Sequence, residues 1–173
     1  MKYAIAIDPG KTGSIVVIDE KNTVTVHNVK QVGKEIDIQD LAEFLLSYCV
    51  DSYCVIEDVH SIFGAGAKSN FQFGRALGIV EGIVSTLGIP YTKVTPKVWQ
   101  LVMWQGIKPV LINTGKKKKD GSVKHKVDTK ATSQLAAKRL FPNVNFVPTA
   151  RSSKDHGGAI DASLMALYCK RNF

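Results

Sequence analysis

Residues 1–20 read MKYAIAIDPGKTGSIVVIDE, and their reading decides the fold. Tyr3 to Asp8 is an apolar run that ends in a carboxylate and is broken at once by Pro9 and Gly10. Ser14 to Asp19 repeats the pattern, and Thr23 to Val29 (TVTVHNV) alternates apolar with polar residues. The connecting segments PGKTG and EKN are short and rich in turn formers, so an antiparallel meander of three strands is expected. A strand that places a charge at its end, beside a glycine turn, marks that end of the sheet as a site for chemistry.

Outward from this stretch the period changes. IDIQDLAEFLLSYC carries apolar residues at Ile38, Leu41, Phe44, Leu45 and Tyr48, the spacing of a helix, with Asp37 as its cap. SYCVIED (Ser52 to Asp58) is a second short apolar run that ends in acid. After the glycine-rich residues 60–68, SNFQFGRALGIVEGIVSTLG predicts a long helix, capped by Ser69 or Asn70 and stopped by Gly88 and Pro90. Gly74, Gly78 and Gly82 leave one face of that helix bare, which predicts close packing against a sheet or another helix. Phe71 and Phe73 at its start read as core residues. PYTKV is a fifth strand, and Thr95 with Pro96 opens a short helix. KVDTKATSQLAAKRLF and AIDASLMALYCKR are the last two helices. The expected architecture is α/β: a mixed five-stranded sheet, three antiparallel strands then two parallel ones, flanked by helices in a single domain over 1–173.

Charge narrows the partners. The chain has 23 Lys+Arg against 15 Asp+Glu, a net charge of +8. Between Lys108 and Lys130 stand eight lysines and two acids, so +6 of the +8 lies in one stretch. Asp120-Gly121 inside it predicts an exposed loop or hairpin at about 108–128. Such a block on a near-neutral body fits a polyanion, nucleic acid first, although a solvated lysine loop has the same composition. No window approaches the roughly 18 apolar residues of a membrane span, and no signal peptide is evident. Three cysteines without metal spacing read as buried thiols. The expected setting is the cytoplasm: the nucleoid, or a phage-infected host.

The candidate site is a set of acids. Asp8 ends the first strand, Glu57 ends the fourth, and Asp161 lies near the start of the last helix. Brought together, three carboxylates repel, and a divalent cation is the ordinary compensation. An all-oxygen donor set selects a hard ion, Mg²⁺ or Mn²⁺. Two such ions about 4 Å apart activate water and stabilise the leaving oxygen of a phosphodiester. Each acid also has a plainer reading: a turn cap, a strand-end charge, a helix N-terminal acid.

Taken in combination, YAIAIDPGKTGSIVVID, VIEDVHS, FGRALGIVEGIVSTLGIPYTKVTPKVWQ, AAKRLFP and AIDASLMALY resemble successive blocks of RuvC-type Holliday junction resolvases of the small phage and bacterial form, from Met1 to about Tyr168. The resemblance implies an RNase H-like fold, a homodimer, and metal-dependent nicking of four-way DNA junctions and other branched DNA. Asp8 and Glu57 match the first two metal-binding acids, and Asp161 matches the last. One position departs: the family carries a further acid or histidine three or four residues before the final aspartate, and here 157 and 158 are glycine. His156 and Asp155 are the nearest substitutes, as ligand or proton shuttle. At ~100° per helical residue, His156 and Asp161 would point about 140° apart on one helix, so DHGG is expected to be a pre-helical loop if either serves. Phe63 is the candidate for stacking at the junction crossover. Lys68, Arg75 and Lys116, Lys117, Lys118 and Lys119 are candidate phosphate contacts.

Three other readings compete. An ATP-handling domain of the actin and sugar-kinase type also begins with a strand and D-x-G, but no second phosphate loop follows. An RNase H-like nuclease acting on RNA would carry a similar metal site. A catalytically silent branched-DNA binder is compatible with the glycine at 158.

Overall fold

The computed structural model describes all residues except 11, 34, 59–65, 118, 149–151 and 153. Strands β1 (Tyr3–Ile7), β2 (Ser14–Asp19) and β3 (Val24–Asn28) form the antiparallel meander. Two small elements that the sequence did not announce follow, β4 (Gln31–Val32) and β5 (Glu35–Ile36), a two-stranded hairpin of their own. Helix α1 (Ile38–Leu46) is capped by Asp37, whose side chain accepts from the Asp40 amide. Strand β6 (Ser52–Glu57) pairs parallel to β1, and β7 (Tyr91–Val94) pairs parallel to β6. The five-stranded sheet therefore runs β3-β2-β1-β6-β7, with three antiparallel strands followed by two parallel ones.

Both faces of the sheet are covered. On one, Ile5, Ile7, Ile15, Val17 and Ile56 pack against α1 and against α2 (Ala67–Thr86). On the other, Ala4, Ala6, Val16, Ile18 and Val55 meet α3 (Pro96–Met103), α4 (Thr129–Leu140) and α5 (Gly157–Asn172). The alternation follows from the two-residue period of a strand. Ala4 and Ala6 are small where α5 crosses β1, and α5 is buried on several sides through Ala159, Ala162, Leu164, Met165, Ala166 and Cys169. A helix apolar on several sides belongs in the interior, and α5 sits between the sheet and α3 and α4.

The long helix differs from the sequence reading in three respects. It starts at Ala67, with Gly66 as a cap that offers no side-chain hydrogen bond, ahead of Ser69 and Asn70. A Cβ placed at Gly74, Gly78 or Gly82 would meet nothing within 4 Å, so the bare face packs against no part of the described chain. The buried stripe is Ala76, Val80 and Val84, and the glycines lie off it. Phe71 is 72% exposed and lies outside the core. The helix stop is as expected: Gly88 takes φ +67°, which favours glycine. The basic stretch forms a hairpin, β8 (Leu111–Lys117) and β9 (Val123–Val127), separate from the main sheet. Among the described residues no helix is long and apolar enough to cross a membrane.

Candidate active site

β1 and β6 are parallel neighbours in register Ile7↔Ile56, so the residues that follow, Asp8 and Glu57, stand side by side where both strands end. The turn after β1 is built around Asp8. The Gly10 amide donates to Asp8 Oδ1 at 3.2 Å, and the Gly13 amide donates to the Gly10 carbonyl at 2.9 Å. A Cβ at Gly13 would lie 2.0 Å from the Asp8 carbonyl oxygen and 2.8 Å from that of Gly10. Only glycine fits there, because both neighbours are backbone. Glu57 is held from the opposite side: the indole of fully buried Trp99 donates to Glu57 Oε1 at 3.2 Å.

Helix α5 supplies the third acid and explains the glycine at 158. A Cβ on Gly158 would sit 2.8 Å from Asp8 Oδ2 and 3.1 Å from the Thr12 carbonyl oxygen. The first turn of α5 therefore passes directly over the Asp8 carboxylate, which occupies the space a side chain at 158 would need. Asp161, one turn on, has an Oδ1 that is buried and without a hydrogen-bond partner among the described residues. The Ser133 hydroxyl on α4 lies close enough to lower the Asp161 pKa, yet it also lacks a partner in hydrogen-bonding geometry.

Electrostatics tie the three acids together. Desolvation raises Asp8, opposed by the Gly10 amide and by nearby His156. Glu57 is pushed up to about 7 by burial first, then by the charges of Asp8 and Asp161. Asp161 rises to about 6, again chiefly by burial, with Asp8 raising it and Lys130 opposing. All three shifts disfavour the charged form, in each case through burial first, with repulsion among the acids adding to it at Glu57 and Asp161. Among the described residues, no three His, Cys, Asp or Glu side chains stand so as to hold a metal ion in the present rotamers. The donor set itself fits a hard divalent cation: three carboxylates in mutual electrostatic reach, one with an unsatisfied buried oxygen.

His156 and Asp155 are placed as loop residues before the helix. His156 is the cap of α5, its Nδ1 accepting from the Ala159 amide at 3.1 Å and standing 3.2 Å from the Ser14 hydroxyl. Acceptance at Nδ1 puts the proton of the neutral ring on Nε2. The glycines belong to the first turn of α5, so the 140° restriction on a continuous helix does not apply to His156. Asp155 accepts from Gln134 Nε2 at 2.7 Å and faces a cleft of about 690 Å³ lined by Lys130, Gln134, Lys138, Lys154 and Gly157.

Of the candidate DNA contacts, Lys68 is exposed at the start of α2, and Lys116, Lys117 and Lys119 are exposed on the hairpin. Arg75 is engaged in an exposed ion pair with Glu35 at 2.6 Å. Phe63 and Lys118 lie outside the described residues. Trp99, Gly13 and Lys130 had been given no site role from the sequence, and Gly158 had been noted only as a departure from the resolvase pattern. Gly13 carried a signal, as part of PGKTG, whereas the other three depend on contacts between distant segments.

The five-stranded mixed sheet with helices on both faces is the RuvC/RNase H-like fold. Two solved structures of RuvC from T. thermophilus share it. One, in complex with a Holliday junction substrate, has 14% identity and a TM-score of 0.54, covering 99% of this chain and 96% of that one. The other has 16% identity and a TM-score of 0.52, covering 96% of this chain and 95% of that one. At this identity the likeness is one of fold. No family model matches the chain, and no curated protein matches it in sequence.

Proposed function

We propose that the chain is a divalent-metal-dependent endonuclease that nicks four-way DNA junctions and related branched DNA. The observation that carries this reading is the meeting of Asp8, Glu57 and Asp161 from two parallel strand ends and a crossing helix, half-buried, mutually repelling, with one oxygen unsatisfied. The shared fold supports it, since one of the similar structures is a RuvC with a Holliday junction substrate.

Asp8, Glu57 and Asp161 would hold Mg²⁺ or Mn²⁺, two ions per site. Such ions, when bound, polarise the scissile phosphate and lower the pKa of attacking water. The chain's own residues prepare the site. The Gly10 amide fixes one Asp8 oxygen and leaves Oδ2 directed toward α5. Trp99 fixes one Glu57 oxygen. His156, with Nδ1 accepting from the Ala159 amide, offers Nε2–H as a hydrogen-bond donor to a phosphate oxygen. Asp155, held by Gln134, stands in reserve as a further ligand. Phe63, Lys68 and Lys116 to Lys119 grip DNA, and Arg75 joins them when it leaves Glu35. The open glycine face of α2 gives a second copy a place to approach closely, in keeping with a homodimer of single domains acting in the cytoplasm or nucleoid.

The test is cleavage of a synthetic immobile four-way junction, with linear duplex alongside, in Mg²⁺ and in EDTA. Paired symmetric nicks that need Mg²⁺ and vanish in Glu57→Gln support the reading. Tight junction binding without cleavage in Mg²⁺ or Mn²⁺ establishes instead a silent binder, the reading compatible with the glycine at 158. Neither binding nor cleavage directs the search to RNA.

A further inference from the structure

The hairpin β8–β9 takes no part in the core. Every residue of its strands is exposed except half-buried Thr114, and neither strand joins another sheet. Leu111, Ile112, Val123 and Val127 are 37–60% exposed. A lone two-stranded hairpin is at best marginally stable in water, so this one must be ordered by local bonds. The Thr114 hydroxyl donates to the Lys124 carbonyl at 2.7 Å, and the Gly115 amide donates to Asn113 Oδ1 at 2.8 Å. At the tip, the Asp120 carboxylate accepts from the Ser122 amide and hydroxyl at 2.9 and 2.6 Å, and Gly121 takes φ +81°.

Its root is tied down. The Asp128 amide donates to the Val110 carbonyl at 2.8 Å. The Val110 amide in turn donates to the buried Thr132 hydroxyl of α4 at 3.1 Å. The next residue after the cap Asp128 but one, Lys130, is near enough to Asp161 to lower its pKa. Asp128 and Lys130, at that root, line the same cleft as Asp155 and Gly157, so the ribbon springs from the rim of the carboxylate site.

The two faces of the ribbon differ. Leu111 pairs with Val127, Asn113 with His125 and Lys117 with Val123, whereas Ile112 pairs with Lys126, with a bulge between Asn113 and Lys117. Strand side chains alternate and paired residues share a face, so Lys124 and Lys126 stand on one face with Ile112, and Val123, His125 and Val127 stand on the other with Lys117. Over 111–127 there are six lysines and one acid, Asp120, whose carboxylate is already taken by Ser122. A two-stranded ribbon is narrow enough for the major groove of duplex DNA, about 12 Å wide. Seven residues at ~3.3 Å each span about 23 Å, the length of roughly seven base pairs.

We propose that β8–β9 is a β-ribbon arm that lies in a groove of the double-stranded arm flanking the cleavage position, with lysines from both of its faces reaching the phosphates of the groove walls. This rests on the nuclease reading above and names the part of the substrate the ribbon takes: the duplex next to the branch, not the branch point itself.

The test is binding in EDTA, by fluorescence anisotropy, to loop-closed four-way junctions with arms of about 5 and about 15 base pairs, over a salt series. Wild type is compared with a variant carrying Lys116→Gln, Lys117→Gln, Lys119→Gln, Lys124→Gln and Lys126→Gln, all on exposed positions. A second variant has 112–126 replaced by a short Gly-Ser turn. Wild type is expected to prefer long arms about tenfold or more, and both variants to lose that preference. The log–log salt slope should fall by about 3 to 4, at ~0.9 per phosphate contact. Variants that keep the arm-length preference and the slope overturn the ribbon alone and turn attention to an acidic protein surface. Wild type that binds no DNA at all overturns the nuclease reading and the ribbon together.

Discussion

The sharpest consequence of the carboxylate cluster is a stability that falls as pH rises, in the absence of divalent metal. Glu57 has an ordinary pKa of 4.5 and is raised to about 7 in the fold. Between those values the native state holds a proton that the unfolded chain has lost. The stabilisation is thus complete below pH 4.5 and disappears as pH rises through 7. At 1.36 kcal/mol per pH unit, the site alone should cost about 2.5 kcal/mol between pH 5 and pH 8. Asp161, raised from 3.8 to about 6, moves in the same direction over a lower window. Its contribution is not additive, because each acid shifts the other. The assay is urea unfolding at pH 5 and pH 8 in EDTA, followed by the emission of buried Trp99 and its neighbour Trp104, for wild type and Glu57→Gln. Glutamine keeps the shape and removes the charge, so the variant should exceed wild type in stability at pH 8 and lose most of the advantage at pH 5. The difference corresponds to a relative midpoint shift of roughly 1 M urea. Added Mg²⁺ at a hundred times its Kd should return about 2.7 kcal/mol to wild type at pH 8 and less to the variant. A wild-type midpoint that does not fall relative to Glu57→Gln between the two pH values would refute the buried, raised Glu57 on which the site rests.

Three further outcomes are expected. Gly13→Ala puts a methyl 2.0 Å from the Asp8 backbone oxygen, and its cost in chemical denaturation should exceed the ~1–3 kcal/mol of ordinary overpacking. Gly158→Ala meets first the Asp8 side chain, at 2.8 Å, which can rotate away. It should therefore lose about 2 kcal/mol or less of stability, while calorimetric Mg²⁺ affinity and junction nicking fall more than tenfold. Trp99→Phe removes the N–H that lowers Glu57, so the stability-versus-pH window in EDTA should move upward, a shift absent when the same change is made on Glu57→Gln.

Much of this arrangement is legible in the sequence because it is local. The runs YAIAID and SYCVIE are short, apolar and end in acid, which is enough to predict both strands and their ends. Parallel pairing of β1 with β6 then places Asp8 beside Glu57 with no further information. Asp161 is legible as an acid early in an apolar helix. What is not legible depends on which surfaces meet. Gly74, Gly78 and Gly82 have the spacing of a packing face, yet the buried stripe falls on Ala76, Val80 and Val84. No periodicity distinguishes these, because both sets recur every four residues. The Trp99 bond to Glu57 joins residues 42 apart in the chain, and nothing in TPKVWQ announces it. His156 sits at an unremarkable loop position until the helix start at Gly157 makes it a cap.

Gly158 shows how the same residue changes meaning once the fold is known. Against the resolvase pattern it reads as a missing ligand, and that reading alone would favour an inactive relative. In the fold, the space a side chain at 158 would fill is occupied by Asp8 Oδ2, and the helix crosses close enough that even a methyl group would press on the carboxylate. The glycine thus brings the N-terminal turn of α5, with the partial positive charge of a helix start, over Asp8. The Gly10 amide and His156 are the favourable terms near Asp8, yet burial still holds its pKa above the ordinary value. Lys130 likewise only partly offsets the shift at Asp161. The chain's own cations are therefore insufficient to keep the cluster fully ionised near neutral pH, and a carboxylate set in that condition has most to gain from a divalent ion. Loss of a ligand at 158 and preservation of metal binding are compatible, provided His156 or Asp155 faces the space above Asp8. If Gly158→Ala weakens Mg²⁺ binding and nicking as His156→Ala does, while Gly158→Asp fails to enhance either, the glycine belongs to the working site and is not a vacancy in it.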